Sequence, residues 1–418
     1  MKLYNTQSQS LQEFEPQAHT VKLYVCGITP YDTTHLGHAA TYCAFDVLVR
    51  YLEYRGATVD YCENVTDIDD DTIREAPKRG TNWRELGNTW TAHFIRDMIA
   101  LNVRPPDHYP RATDVIPEII EFDKKLIEKG FAYESGGSVY FHVSAYDKFG
   151  QLSHIPKSEM LAIANERGNF PDDPKKRDPL DFVLWQAQAP GEPAWDSPWG
   201  PGRPGWHIEC SAMNYKTFGP TIDIHGGGAD LVFPHHECEI AQTVNFTGEN
   251  YFARLWMHTA MVGYDGEKMS KSLGNLVMVS DLLKQHTPDS LRLYLAKHHY
   301  RKPWEFTSAD LDTSLSECTQ LTQAVQTSSG DRHAMDFEYA RAAFERTLDD
   351  DLNSPAAANV LCELSNAILE HADVGRDVRE AQTWLRRAAS IFGLRLDAYG
   401  PEARVRFGWE QHINRFPG

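Results

Sequence analysis

Residues 20–66 constrain the fold more than any other stretch, because two apolar runs there flank one helical pattern. Residues 21–27 read as a buried strand that ends on Cys26 and Gly27. Thr29-Pro30 opens a loop. Helical apolar spacing begins at Ala39 and stops at Arg55-Gly56, and residues 58–65 form a second strand. Strand, glycine-containing turn, helix and strand make a βαβ unit, whose two strands pair in parallel. An α/β nucleotide-binding core is the expectation.

That core is expected in two halves. After Arg104 the texture changes to Arg104-Pro105-Pro106, a helix near residues 115–129, short strands near 133–143 and a polar stretch rich in Pro and Asp at 171–179. The core resumes near Gly205, with a strand at 221–225, the turn Gly226-Gly227-Gly228 and a helix over 234–244. Beyond Trp304 the pattern is helical throughout. The organisation expected is therefore residues 1–104 for the first half of the core, 105–198 for an inserted α/β subdomain, 199–304 for the second half and 305–418 for a C-terminal helical bundle. A chain of 418 residues is long enough to need several such units.

Its 59 acidic against 41 basic residues give a formal charge of −18, which disfavours unspecific adhesion to nucleic acid or to an anionic membrane. A local basic patch stays compatible with that charge. No apolar run approaches the roughly 20 residues of a membrane span, and the N-terminus turns polar before a signal-peptide core could form. No membrane partner and a cytoplasmic location are expected. Seven thinly spread cysteines point to reduced thiols rather than a disulfide framework.

Two loops suit phosphate. His35-Leu36-Gly37-His38 lies where the loop after the first strand meets the helix, and a helix N-terminus at that end of a parallel sheet attracts phosphate. Lys268-Met269-Ser270-Lys271-Ser272 sets two ammonium groups three positions apart with a hydroxyl between them, a clamp suited to polyphosphate. Taken alone it is equally a solvated turn. A third group joins Cys26, Cys210, His235 and Glu239, the last two four apart on one helix face. Two thiolates, an imidazole and a carboxylate can form a zinc shell that accepts a further soft sulfur ligand. Buried core cysteines and a helix-cap histidine are the alternative. Cys238 points about 100° away from Glu239 around the helix and is left out, Cys43 and Cys62 fit core faces, and Asp67-Ile68-Asp69-Asp70-Asp71 reads as a solvated loop with capping roles.

In this order the two loops resemble the two signatures of class I aminoacyl-tRNA synthetases. The resemblance implies a Rossmann-like core, ATP as substrate with Mg2+, and an aminoacyl adenylate formed by carboxylate attack on the α-phosphate. His35, His38, Lys268 and Lys271 would then stabilise phosphate charge as the catalytic groups, with Thr29, Gly37 and Ser270 also at the ATP site. Residues 195–200, 202–213 and 223–231 resemble cysteinyl-tRNA synthetases more narrowly. That implies one zinc per chain on Cys26, Cys210, His235 and Glu239, gripping the substrate thiol. It also implies a cysteine pocket of Cys26, Gly27, Thr29, Trp206 and His225, and an adenosine site at Gly227 and Asp230.

The acceptor divides this resemblance. Residues 27–42, 275–280 and 298–305 are similar to the mycothiol-pathway branch, which joins cysteine to the amine of glucosaminyl-inositol through the same adenylate. Ala40 stands where the synthetases usually carry arginine, and residues 400–418 fit no further anticodon-binding domain. Glu239 points the other way, toward the tRNA synthetases. The expectation is a ligase acting on cysteine, ATP and a small-molecule amine. tRNA is the alternative acceptor, and an inactive paralogue is the third reading. Asp32 and His225 are candidates for taking the amine proton.

Overall fold

The computed structural model describes residues 1–16, 19–269, 274–396 and 403–416. Its centre is a parallel sheet of β1 (Thr20–Ile28), β2 (Thr58–Val65), β3 (Ile222–Gly228) and β4 (Ala253–Thr259), in the order β4-β3-β1-β2. Helix α1 (Leu36–Tyr54) makes the crossover from β1 to β2, as the βαβ pattern requires. Both faces of β1 are buried, the usual state of a parallel strand covered on two sides. The period of two then sorts its side chains. Val21, Leu23 and Val25 join the core shared with α1 and the C-terminal helices, whereas Tyr24 and Cys26 face the core shared with the insertion.

The register of β1 against β2 slips between Val25 and Ile28. Gly27 is the reason, since a Cβ there would lie 1.6 Å from the carbonyl oxygen of Asn64. Helix α1 starts three residues earlier than apolar spacing suggested. His35 is its extended cap, and Nδ1 of His38 lies 3.4 Å from the His35 N–H. The periodicity missed this turn because His and Gly occupy most of it.

The helix expected from residue 234 begins instead with α3 (Glu237–Thr247), after a distorted turn at Val232–His236. Phe233 is extended there (φ −139°, ψ 135°), as a residue before proline prefers. An antiparallel sheet of Ala132–Ser135, Ser138–Phe141, Phe182–Ala187 and Gly202–Pro204 stands between the two halves of the parallel core. Its last strand leads directly into α2 (Trp206–Phe218).

The C-terminal region is mostly helical from Ser308 onward, with Ser308–Gln326, Glu338–Asp349, Ser354–Asp373, Arg379–Ala389 and Ala403–Ile413, and departs from the all-helical expectation where Arg332–Ala334 pairs with Arg376–Asp377. It is not a loose appendage. Leu321, Phe344, Leu361 and Leu385 belong to the same buried cluster as α1, and Asp46 of α1 binds both Arg50 and Arg292. Arg50 and Arg292 in turn donate to the carbonyls of Ser390 and Phe392. Among the described residues, no helix is long and apolar enough to cross a membrane.

Candidate active site and metal centre

Three elements converge on one buried point. Cys26 comes from β1, Cys210 from α2, and His235 with Glu239 from the turn and first residues of α3. The ligand-capable atoms of these four lie within 4.8 Å of one another, and all four residues are buried. Cys26 Sγ is 3.8 Å from Cys210 Sγ and 3.5 Å from Glu239 Oε1, and His235 Nε2 is 3.2 Å from the same oxygen. The i, i+4 relation expected of His235 and Glu239 holds, although His235 precedes the regular helix.

Burial pushes the Cys26 thiol and the Glu239 carboxyl up and His235 down, each toward its neutral form. A divalent cation is the group that would let two thiolates and a carboxylate remain ionised together, and the donor set fits one. Cys62, Cys43 and Cys238 are buried and stand outside this group, as expected.

Sequence reasoning missed His236. Its Nε2 lies 3.3 Å from Cys26 Sγ, its Nδ1 2.7 Å from His258 Nε2, and His258 Nδ1 is 2.7 Å from the Thr6 hydroxyl. Cys26, His225, His236 and Glu239 consequently form a second group of metal-capable atoms within 4.8 Å. In a regular helix, neighbouring histidines point about 100° apart and only one could face inward. Here the start of α3 is enclosed on every side, with Glu237 to Val244 all buried, so both histidines lie inside. His225, expected in the cysteine pocket, has Nε2 3.0 Å from Glu239 Oε2, and burial lowers it to about 3, so its ring is neutral near pH 7.

The remaining cysteine-pocket residues surround this cluster. The Trp206 ring stacks on His235 at 4.4 Å, and the Gly27 N–H donates to Asn64 Oδ1 at 2.8 Å. That oxygen lies 3.7 Å from Cys210 Sγ. Thr29 and Trp206 line a cleft of about 1090 Å³ between the parallel core and the insertion, together with Tyr31, residues 69–71, Arg203 and Asp230.

The acidic segment is less solvated than expected. Asp67 is buried and accepts from the Thr113 N–H and hydroxyl, because the following connection folds back over it. Asp69 does cap Thr72, while Asp70 pairs with Arg203 and Asp71 with Tyr31 and Arg74. Asp32 is held by Arg79 at 2.7 Å.

The structure also joins the first candidate phosphate loop to the chain at 277–279, across more than 200 residues. The His35 and His38 rings stack at 3.7 Å, with Gly37 between them in sequence. The Leu36 N–H donates to Val277 O at 2.8 Å and the Val279 N–H to Thr34 O at 3.0 Å. The chain just beyond the lysine-rich loop is thereby laced to the first signature. Lys268 closes the short strand Glu267–Lys268 against Val262–Tyr264, and Ser270 and Lys271 lie outside the described residues. Gly227 lies in β3, and Asp230 lines the cleft just beyond that strand.

Residues 13–316 match the catalytic domain of class I tRNA synthetases, type C. The chain belongs to this family. Residues 343–397 match a DALR domain, so the C-terminal helices carry a recognisable module. A cysteine–tRNA ligase of Dehalococcoides mccartyi is 43% identical over 95% of this chain and 86% of its own length. One from Thermococcus onnurineus is 42% identical over 96% of this chain and 86% of its own length. The L-cysteine:1D-myo-inositol 2-amino-2-deoxy-alpha-D-glucopyranoside ligase of Thermomonospora curvata is 46% identical over 85% of each chain. Among solved structures, the methionyl-tRNA synthetase of Mycobacterium tuberculosis in complex with methionyl-adenylate superposes with a TM-score of 0.65 at 16% identity, over 95% of this chain and 93% of its own, a likeness of fold. The family is one of ATP-dependent cysteine ligases, and the Rossmann-like core, inserted subdomain and helical region fit it.

Proposed function

We propose that this protein activates L-cysteine as cysteinyl-AMP, releasing pyrophosphate, and transfers the cysteinyl group to a ribose hydroxyl of tRNA. One observation carries the choice of acceptor. Likeness to the cysteine–tRNA ligases runs over 95–96% of the chain, whereas likeness to the amino-sugar ligase covers 85%. That extent supports tRNA ahead of the amine expected from residues 27–42.

In this reading His35, His38, Lys268 and Lys271 hold the phosphates of ATP so that its α-phosphate faces the substrate carboxylate, with Mg2+ carried by the nucleotide, and rate comes from positioning and charge stabilisation. A zinc ion on Cys26, Cys210, His235 and Glu239 would supply a soft site for the substrate thiolate and so distinguish cysteine from serine. Trp206 and His225 wall that site. Buried and neutral, His225 adds no positive charge beside the zinc ion.

A second reading keeps the amine acceptor, and a specific observation favours it. The cleft is lined by eight carboxylate side chains against three cationic ones, Arg167, Lys176 and Arg203. All three already have partners. Arg203 pairs with Asp70 and Glu192, Arg167 donates to the carbonyls of Asp230 and Phe233, and Lys176 donates to Asn169. Residues 305–418 carry 19 acidic against 11 basic side chains. Such a field suits an ammonium better than a polyanion.

The deciding experiment gives the purified protein cysteine and ATP with either tRNA or glucosaminyl-inositol. A base-labile ester on tRNA is expected. Amide on the amino sugar with uncharged tRNA would replace this reading with the second, and no cysteine-dependent exchange of pyrophosphate into ATP would refute both.

A further inference from the structure

The helix Ala403–Ile413 and the residues after it lie beyond both matched family regions, which stop at 316 and 397. They nonetheless dock tightly on the catalytic core. Val405, Trp409 and Phe416 are buried. Trp409 Nε1 donates to Val103 O at 2.8 Å, His412 Nε2 lies 2.9 Å from Pro106 O, and Arg415 donates to Tyr109 O at 2.9 Å and to Asp114 at 2.7 Å. Arg111 answers by placing its guanidinium 4.2 Å from the centre of the Phe416 ring and donating to Arg415 O. Gly408 packs so closely that a Cβ would meet Pro105 Cγ at 2.5 Å.

The clasped segment, residues 103–114, leads from the core into the insertion and runs along β2, the edge strand of the parallel sheet. It bridges β2 at Cys62–His108 and Val65–Arg111, and the Val65 N–H donates to Pro110 O at 2.9 Å. Its Thr113 then donates twice to Asp67, at 3.0 and 2.7 Å. Asp67 heads the acidic loop whose residues 69–71 line the cleft.

We infer that the C-terminal helix is a strap that positions the acidic wall of the acceptor cleft, acting through residues 103–114 and the Thr113–Asp67 pair. The path is a series of hydrogen bonds and packed rings from Trp409 to the cleft, and none of the metal-capable residues belongs to it. Residues 69–71 are not among the groups assigned to ATP or cysteine, so the strap acts on acceptor binding more than on cysteine activation. Trp409, His412 and Arg415 are positioning residues in this scheme. It rests on the acceptor occupying that cleft in the proposed transfer step.

The test uses the full chain with Trp409→Ala and, separately, Gly408→Ala, whose methyl group lifts the helix off Pro105 while leaving every side chain of the core intact. Hydrogen exchange at residues 64–72 and 108–114 should quicken on the order of tenfold or more as local opening becomes easier. KM for the acceptor should rise about five- to tenfold, with pyrophosphate exchange changed less than about twofold, the split expected when binding alone is weakened. Trp409→Phe, which keeps a ring but loses the bond to Val103, should fall between wild type and Trp409→Ala.

Faster exchange within 403–413 with no change at 64–72 would overturn the proposal, as would equal losses in pyrophosphate exchange and transfer. If wild type transfers cysteine to neither tRNA nor amine, the acceptor reading fails by itself, and hydrogen exchange at 64–72 still decides the strap.

Discussion

Gly27→Ala attacks the site at its least tolerant point. The added methyl carbon would lie 1.6 Å from the Asn64 carbonyl oxygen and 2.6 Å from its carbonyl carbon, both backbone atoms that cannot swing away. Carbon–oxygen contacts between strands close only to about 3.3 Å, so β1 and β2 must part locally by roughly 1.7 Å. That breaks the 2.8 Å bond from the Gly27 N–H to Asn64 Oδ1. Overpacking costs about 1–3 kcal/mol and the lost hydrogen bond about 0.5–1.5 kcal/mol, so about 3 kcal/mol is a fair central value. For a chain of 418 residues that lowers Tm by about 3–4 °C.

The damage should also reach the metal, because Asn64 Oδ1 sits 3.7 Å from Cys210 Sγ and Cys26 is the adjacent residue. Scanning calorimetry and metal content after dialysis measure the two effects. Gly56→Ala is the control: at φ +90° it strains the backbone, but open space surrounds it and it stands far from the cluster in the fold. It should lose about 1 kcal/mol and no metal. A Gly27→Ala protein with unchanged Tm and full metal content would refute this account of the strand contact.

X-ray absorption on the metal-loaded protein should show two sulfur ligands per zinc at about 2.3 Å, and Cys210→Ser should lose one of them together with discrimination against serine. One sulfur in the wild type would point instead to the group containing His225 and His236. Lys271→Ala should slow adenylation on the order of 10²-fold while leaving cysteine affinity nearly unchanged, and equal effects on both would contradict its assigned role. Glu63 is buried, and burial pushes its carboxyl up to about 8 despite the opposing hydrogen bond from Tyr61. Between the ordinary value of 4.5 and about 8 the folded state thus keeps a proton that the unfolded chain has released, so stability falls as pH rises through that window, by up to about 1.4 kcal/mol per pH unit. Glu63→Gln should flatten this slope in Tm measured against pH; a slope equal to that of wild type would reject the assignment.

Sequence alone determined whatever depends on local periodicity and residue chemistry. The apolar runs over 21–27 and 58–65, with a helical pattern between them, made a parallel α/β core readable, because a strand covered on both faces reads as a near-continuous apolar run wherever it lies. Cys26, Cys210, His235 and Glu239 could be grouped as metal candidates because few residue types bind soft metals, and the two candidate phosphate loops could be picked out because their donors sit close together in sequence. The tertiary structure decided the rest. It enclosed His236 as well as His235, since the start of α3 is buried on every side. It buried Asp67 under Thr113 and so changed a loop expected to be solvated into part of a cleft wall. It docked Trp409 on Val103 across some 300 residues, where no repeat or motif gives a signal. Periodicity reports how a residue faces its neighbours in the chain. Which distant residues share a cavity, and with what charge, is set only when the elements pack.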